Sequence, residues 1–315
     1  MSQANTTIRR RSGLKRYSTS DLVIDIIIYA ALVFLFVVTL YPFVNMIAYS
    51  LNDANDSLRG GIDLLPRQWT LYNYQRLFRD ATIFNATIIS VLRTVIGALS
   101  TTACCFAVAY VLSRKEFFLK TFVTRFFIFT MFFSSGLIPY YMLMKTMSLV
   151  GTFWVYIVPS LLSAWNILLI RSYITQNIPD SLVEAARIDG ANEFVTMLRV
   201  VLPLSLPVIA VIILFTGVGQ WNSWFDVFIY NNSKKDLSTL QFELQKMLQK
   251  TMSTSSSAGM ANSVSQEAGK GGVQTVTPQA MRAAMTIVAT LPILAAYPFL
   301  QRYFVSGLTL GGIKG

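Results

Sequence analysis

The sequence contains no histidine and only two cysteines, and just 13% of its 315 residues are charged. Each shortage closes off a class of function. Without histidine there is no Ser-His-Asp or Cys-His nucleophile, and the commonest metal ligand is missing. Cys104 and Cys105 are adjacent inside an apolar run. Helical neighbours point about 100° apart, so both read as small core residues rather than a disulfide. The phosphate-binding pattern G-x-x-x-x-G-K-[S/T] is absent, and neither Gly60-Gly61 nor Gly271-Gly272 leads into Lys-Ser/Thr. ATP binding by this chain is not expected, nor any cofactor or metal. The acids are scattered through loops and gather around no site, which argues against a carboxylate pair for glycoside hydrolysis.

The shortage of charge has a counterpart. A soluble domain carries about 25% charged residues, whereas this chain is 54% hydrophobic with a mean hydropathy of +0.52. Its apolar residues fall in blocks of the length that crosses a hydrocarbon core, about 20 residues. Six are read: about Leu22–Ile47, Ala86–Leu112, Leu119–Met144, Thr152–Ile170, Leu204–Tyr230 and Ala283–Phe304. Continuous runs disfavour a β-barrel, whose strands alternate. The first run is too long for a cleaved signal peptide. The expected fold is an all-α membrane protein with six transmembrane helices in the lipid bilayer. It divides into a basic tail at 1–20 and a membrane domain at 21–315. The net charge of +11 is spread over loops and the amino terminus, so it does not suggest nucleic acid. Arg9, Arg10, Arg11, Lys15 and Arg16 precede the first span, which places that end, and after six crossings the other, in the cytoplasm. The sequence therefore reads as a multi-pass membrane protein.

Charge returns in two inter-span segments. From Glu184 to Pro207 the chain reads "EAARIDGANEFVTMLRVVLPLSLP". Ser181-x-x-Glu184 fits a capping box that starts a helix at Leu182, and Gly190 ends it. Asn192 caps a second helix with an apolar stripe of Phe194, Val195, Leu198, Val201 and Leu202. Pro203 and Pro207 break the pattern as the fifth span begins. The pair occupies about 179–203. Such helices either dock in a groove on a partner protein or lie flat on the membrane. A flat binder favours Lys and Arg, and here the acids Asp180, Glu184, Asp189 and Glu193 outnumber Arg187 and Arg199, which favours a partner. The other segment, about 231–280 and expected outside, opens with Ser238-x-x-Gln241 as a capping box. A stripe of Leu237, Leu240, Leu244 and Met247/Leu248 follows. The Ser/Gly/Thr-rich tract at 251–278 reads as a flexible tether.

Polar groups inside the spans are few. Arg93 is costly there and calls for a cavity, a partner or snorkelling to the interface. Asp25 lies near the end of its span and snorkels. Trp165-Asn166 and Gln220-Trp221-Asn222 with Trp224 join aromatic faces to amides, which fits a sugar pathway. The same residues also serve at membrane interfaces and helix contacts.

Glu184-Ala185-Ala186, with Asp189-Gly190 and then Leu202-Pro203, resembles the EAA loop of the membrane-spanning subunits of bacterial ABC importers. The stretches "YSLNDANDSLRGGIDLLPRQWTLYNYQRLF" (49–78), "FFSSGLIPYYMLMKTMSLVGTFWVYIVPSLLSAWN" (132–166), "GQWNSWFDVFIY" (219–230) and "TLPILAAYPFLQRYFVSGLTLGGIKG" (290–315) are similar to carbohydrate permeases of the maltose-permease second-subunit type. Within that type they match the branch for complex oligosaccharides such as aldouronates. The chain departs from many relatives at Gln220, where they carry a histidine. The resemblance implies half of a translocation pathway, completed by a second six-span permease subunit. It implies two ATPase subunits that bind ATP and Mg, and an extracytoplasmic sugar-binding protein that delivers an oligosaccharide. The Glu184–Gly190 helix would couple to the ATPase. The 231–280 loop, with its Leu237, Leu240, Leu244 and Met247 stripe, would contact the binding protein. Two other classes stay open on the residues alone: a secondary transporter or channel not driven by ATP, and a membrane-embedded scaffold or enzyme.

Overall fold

The computed structural model describes residues 19–57, 59–255 and 277–311. Among them there is no strand, only helices joined by turns. Most of the basic tail and the Ser/Gly tract lie outside the described residues. Three helices are long and apolar enough to cross a membrane: α1 (Thr19–Ser50), α4 (Ala81–Ser113) and the first part of the last helix, Pro278–Gly311. The other expected crossings are broken. Six crossings result only if each of three bent helix pairs is one span: Lys120–Phe132 with Leu137–Thr146, Phe153–Ser160 with Ala164–Asn177, and Glu193–Leu204 with Leu206–Asn222.

The breaks have local causes. The expected third span, Leu119–Met144, is two helices, α5 (Lys120–Phe132) and α6 (Leu137–Thr146), which meet at 120°. Between them Phe133 is extended and Gly136 has φ +80°. Pro139 falls in the first turn of α6, where a missing N–H costs nothing, but it forbids a ladder continuous with α5. The expected fourth span, Thr152–Ile170, begins as tight turns at Phe153–Tyr156 and Val158–Ser160. It becomes α-helical only in α7 (Ala164–Asn177), capped by Ser163. The expected fifth span, Leu204–Tyr230, runs as α11 (Leu206–Asn222), stops at an extended Ser223, and resumes as the short α12 (Phe225–Tyr230).

α4 is the axis. It packs along α11 and α7, and one apolar cluster joins the three: Phe106, Ala109, Ile167, Ile170, Ile209 and Ile212. Lipid tails are as apolar as these side chains, so close backbone approach and interhelical hydrogen bonds decide the contact. Gly97 of α4 faces α11 so closely that a Cβ there would come within 2.9 Å of the Gln220 side chain. α13 (Leu240–Ser255) and α14 (Pro278–Gly311) build a second cluster with Leu77, Ile83 and Trp221. The stripe expected to face a partner is used here: Leu240 and Leu244 are buried, and Met247 and Leu248 are half-buried against the same cluster. Leu237 is half-buried, and its carbonyl accepts from the Tyr156 hydroxyl at 2.7 Å. The capping box at Ser238 does not form, because the helix starts at Leu240 and the Ser238 hydroxyl donates to Glu243 instead. α3 (Tyr72–Arg79) and the turn α2 (Ala54–Ser57) order the 51–79 segment around Asn52. The Asn52 side-chain oxygen accepts from the backbone of Arg67 and Gln68, both at 2.8 Å. α1 touches chiefly α14, and its residues from Leu22 to Leu40 are almost all exposed.

Ile212→Ala, at the α4–α7–α11 contact, should cost about 2–5 kcal/mol and lower the unfolding temperature of the purified chain in detergent. Phe34→Ala, on the exposed face of α1, should leave it unchanged. Equal effects would contradict the placement of the core.

Candidate functional site: a buried ion pair and a stapled helical loop

The breaks in the fourth and fifth spans border one cavity of about 590 Å³, lined in part by Arg93, Tyr156, Ser160, Asn166, Gln220 and Asp226. Irregular backbone survives at membrane depth only where it lines a cavity or is buried in protein with its polar groups satisfied, and here side chains satisfy it. Thr101 Oγ1 donates to the Ser160 carbonyl at 2.9 Å. Gln220 Nε2 donates to Ser160 Oγ at 2.8 Å and, more weakly, to the Tyr156 carbonyl at 3.4 Å. The Ser163 N–H reaches Cys105 Sγ at 3.4 Å.

Arg93 is buried, not snorkelling. Its Nε donates to Gln220 Oε1 at 2.8 Å, its Nη1 to Asp226 Oδ1 at 3.1 Å, and its Nη2 to Asp226 Oδ2. The Tyr156 ring covers the guanidinium with its centroid 4.6 Å away. Asp226 in turn accepts from Ser223 Oγ at 3.1 Å. A fork of donors on a carboxylate is the geometry that makes a buried cation tolerable.

Of the residues singled out in the sequence, Arg93, Asn166 and Gln220 meet here. The others do not. Trp221 is buried against α14, with its indole N–H donated to the Ala289 carbonyl at 2.8 Å. Trp165 and Asn222 are exposed outside the cavity lining, and Trp224 is half-buried against the apolar cluster that includes Val227 and Phe242. On an α-helix Gln220, Trp221 and Asn222 point in three directions, so their adjacency in sequence did not make one cluster. Asp226, Tyr156 and Ser160 went unnoticed. Asp226 had a signal: it is the one acid between Leu204 and Tyr230, and an intramembrane cation needs an intramembrane acid.

At the far end of α4 stands the charged loop. α8 (Asp180–Ile188) begins two residues earlier than the capping box implied. Its flanking Pro179 makes no side-chain cap, so Ser181 sits in the first turn. Gly190 closes the helix at φ +83°, with the Ala191 N–H on the Ala186 carbonyl at 2.9 Å. Asn192 caps α9 (Glu193–Thr196), its Oδ1 accepting from the Val195 N–H at 2.9 Å. The chain then widens into a π turn over Met197–Val201, ahead of Pro203 in the short α10 (Leu202–Leu204). Pro203 has no N–H to offer the preceding turn. The wider turn rotates the expected stripe: Val201 is buried, Val195 and Leu202 are half-buried, and Phe194 and Leu198 are exposed. Glu184, Ala185, Asp189 and Gly190 are also exposed, Ala186 is half-buried, and Ile188 is 87% exposed.

The loop is stapled to the segment after α4. Lys115 pairs with Asp180 at 2.5 Å. Arg187 bridges Glu116 at 2.5 Å and Glu193 at 2.6 Å, and Tyr110 of α4 donates to Glu193 at 2.6 Å. These bonds hold three carboxyls below their ordinary values: Asp180 by Lys115, Glu116 by Arg187, and Glu193 first by the Tyr110 hydroxyl and then by Arg187.

Residues 102–310 match the family model of the binding-protein-dependent transport system inner membrane component. The chain belongs to that family. Over 291 residues it is 33% identical to the polygalacturonan/rhamnogalacturonan transport system permease protein YtcP of Bacillus subtilis, covering 92% of this chain and 98% of that one. It is 28% identical to the arabinooligosaccharides transport system permease protein AraQ of Halalkalibacterium halodurans, covering 90% and 94%. A solved bacterial ABC transporter involved in the import of the acidic polysaccharide alginate matches with a TM-score of 0.81 at 24% identity, covering 91% and 99%. That likeness bears on the fold. This inner membrane component is a permease subunit of a binding-protein-dependent transport system.

Arg93→Met should strand Asp226, and Asp226→Asn should strand a buried cation, each costing about 3–5 kcal/mol. Arg93→Met with Asp226→Leu should recover most of that loss. Thermal unfolding of the three variants checks it, and a double variant no better than the singles would contradict a self-contained pair.

A carboxyl with a lowered folded pKa contributes stability above its unfolded value and loses it as pH falls. The staple should therefore be intact above about pH 5 and weaken below about pH 4, from ordinary values of 3.8 for Asp180 and 4.5 for Glu116 and Glu193. Hydrogen exchange over residues 180–202, corrected for intrinsic rate, should show more frequent opening at about pH 3.5 than at about pH 6, with the α4–α11 core unchanged. Equal protection at both would contradict the staple.

Proposed function

We propose that this permease imports a carbohydrate, in the size range of an oligosaccharide, into the cytoplasm of a bacterium. The observation that carries the reading is the full-length similarity to sugar-transport permeases, YtcP foremost. In this reading the chain forms half of the pathway, with a second six-span permease subunit. An extracytoplasmic binding protein delivers the sugar, and two ATPase subunits supply energy from ATP and Mg bound outside this chain. Both termini and the α8–α10 loop face the cytoplasm, in line with the basic residues ahead of α1. The cavity at Arg93, Asn166 and Gln220 belongs to the sugar pathway. Trp165, Trp221, Asn222 and Trp224 drop out of it for the packing reasons above, and the buried Leu240 and Leu244 are not offered to the binding protein.

The ATPase docks on the exposed side of α8, at Glu184, Ala185, Asp189 and Gly190, with Ile188 and Phe194 as apolar anchors. Three features support this: the loop projects unpartnered apolar side chains beside acids, Gly190 has φ +83°, and the whole is fixed to α4 by ion pairs. A stroke applied at the loop then reaches α4 as a rigid body.

Gly190→Ile forces a β-branched side chain into the left-handed region, at about 1–2 kcal/mol, although nothing crowds the site. Combined with Glu184→Ala, it should leave membrane insertion intact. It should lower sugar uptake in proteoliposomes by about tenfold or more, the rate equivalent of 1.4 kcal/mol. Wild-type uptake in the double variant would refute docking at this loop.

A further inference from the structure

Among the described residues, the cavity beside α4, α7, α11 and α12 is lined by one cation and one anion, and they are paired. The two are not equally accessible. The Arg93 side chain is 3% exposed and the Asp226 side chain 22%. The pair is turned with its carboxylate toward the open space. Behind it the guanidinium is committed to Asp226, to Gln220 Oε1 and, at 3.4 Å, to the Ser223 carbonyl. Its face is covered by the Tyr156 ring.

The remaining polar lining is uncharged. Asn166 Nδ2 reaches Thr216 Oγ1 at 3.4 Å, a long bond that a better partner replaces at little cost. Tyr140, Tyr230 and Phe215 supply aromatic surface. The volume of about 590 Å³ lies inside the ~300–1,000 Å³ range of ligand cavities.

Two kinds of sugar meet this lining differently. A uronate carboxylate sheds its hydration, finds no free cation and faces Asp226 at close range, all of which oppose entry. To take Arg93 as its partner it would have to leave Asp226 unpaired in the same cavity. Asp226 Oδ1 already accepts from Arg93, Ser223 and the Val227 N–H, while Oδ2 accepts from Arg93 alone, so an uncharged ring can donate a hydroxyl hydrogen bond to Oδ2, a strong charge-assisted bond. It bonds the Asn166 amide and lays its C–H face on the aromatic rings.

We propose that this cavity is a subsite for an uncharged sugar residue, with Asp226 accepting its hydroxyls and excluding uronates. The proposal rests on the import reading above. Arg93 is a positioning residue: it holds Asp226 in place without touching the sugar.

The test uses the assembled importer in proteoliposomes. Thr216→Cys is introduced with Cys104 and Cys105 replaced by alanine. It is labelled with methanethiosulfonates of similar size carrying a positive, no or a negative charge, each rate normalised to that with a free thiol. The positive reagent should label faster than the negative one by about tenfold. Maltotriose and arabinotriose should slow the labelling, and trigalacturonate should not. A negative reagent as fast as the positive one overturns the proposal. So does protection by trigalacturonate equal to that by the neutral sugars, or protection by none of the three. Arg93→Gln with Asp226→Asn keeps hydrogen-bonding groups and removes both charges, so it should abolish the charge preference. A preference that persists there would show that Asp226 is not its source and would also overturn the proposal. ATP-driven uptake is measured in the same vesicles: its absence, with charge order and protection intact, would fault the import reading and leave the subsite standing.

Discussion

A buried guanidinium cannot be left without a counter-ion in a hydrocarbon layer, and much of this structure follows from meeting that requirement at Arg93. The acid comes from α12, a short helix that exists only because the fifth span breaks at Ser223. The break places Asp226 against the fork of Arg93 and exposes the Ser223 carbonyl to it. Gln220, one turn earlier on α11, accepts from Arg93 Nε and reaches across to Ser160. Gly97 keeps α4 thin enough for that amide to fit. One ion pair therefore ties together α4, both halves of the fifth span and the non-helical start of the fourth. The cavity is the space that this irregular backbone leaves.

The two ends of α4 answer different needs. At the cavity end a desolvated charge is neutralised inside the chain, where pairing is strong and insensitive to salt. At the loop end the ion pairs are largely solvent-exposed: the side chains of Asp180, Glu193 and Glu116 are 52%, 53% and 60% accessible. Exposed pairs are each worth little, so several are used together, with the Tyr110–Glu193 hydrogen bond anchoring them to the helix itself. Such a loop is firmly attached yet presents an open surface. In the proposed function, that combination lets the loop receive a push from the ATPase and pass it on.

What the sequence disclosed follows from what each signal measures. Apolar run length located the spans to within a few residues for α1 and α4, because length against bilayer thickness is a strong constraint. It failed at the third, fourth and fifth spans, where an average over about 20 residues stays apolar although short polar stretches, Ser134-Ser135, Pro159-Ser160 and Asn222-Ser223, sit at the breaks. The warnings were Pro139, Pro159 and the paired serines, and composition averages them away. Gly190 and Asn192 were legible because a left-handed turn and a cap are decided by single residues. The Leu240–Leu244 stripe was legible as amphipathic, but periodicity says only that a face is covered, not by what. Here α14 and α4 cover it. Asp226 was missed because its partner lies 133 residues away on another helix, a distance that only a charge-pairing argument spans.

The account stands on the Arg93–Asp226–Gln220 contact holding the broken fifth span to α4. The most direct measurement is a density map of the assembled importer in lipid nanodiscs, read at those three side chains. The account predicts the guanidinium bidentate on Asp226 with Nε on Gln220, at hydrogen-bond distances of about 2.7–3.2 Å, beside an open, irregular Ser223. An α11 helix continuous through Ser223 to Tyr230, with Arg93 extended to the membrane surface, would contradict it.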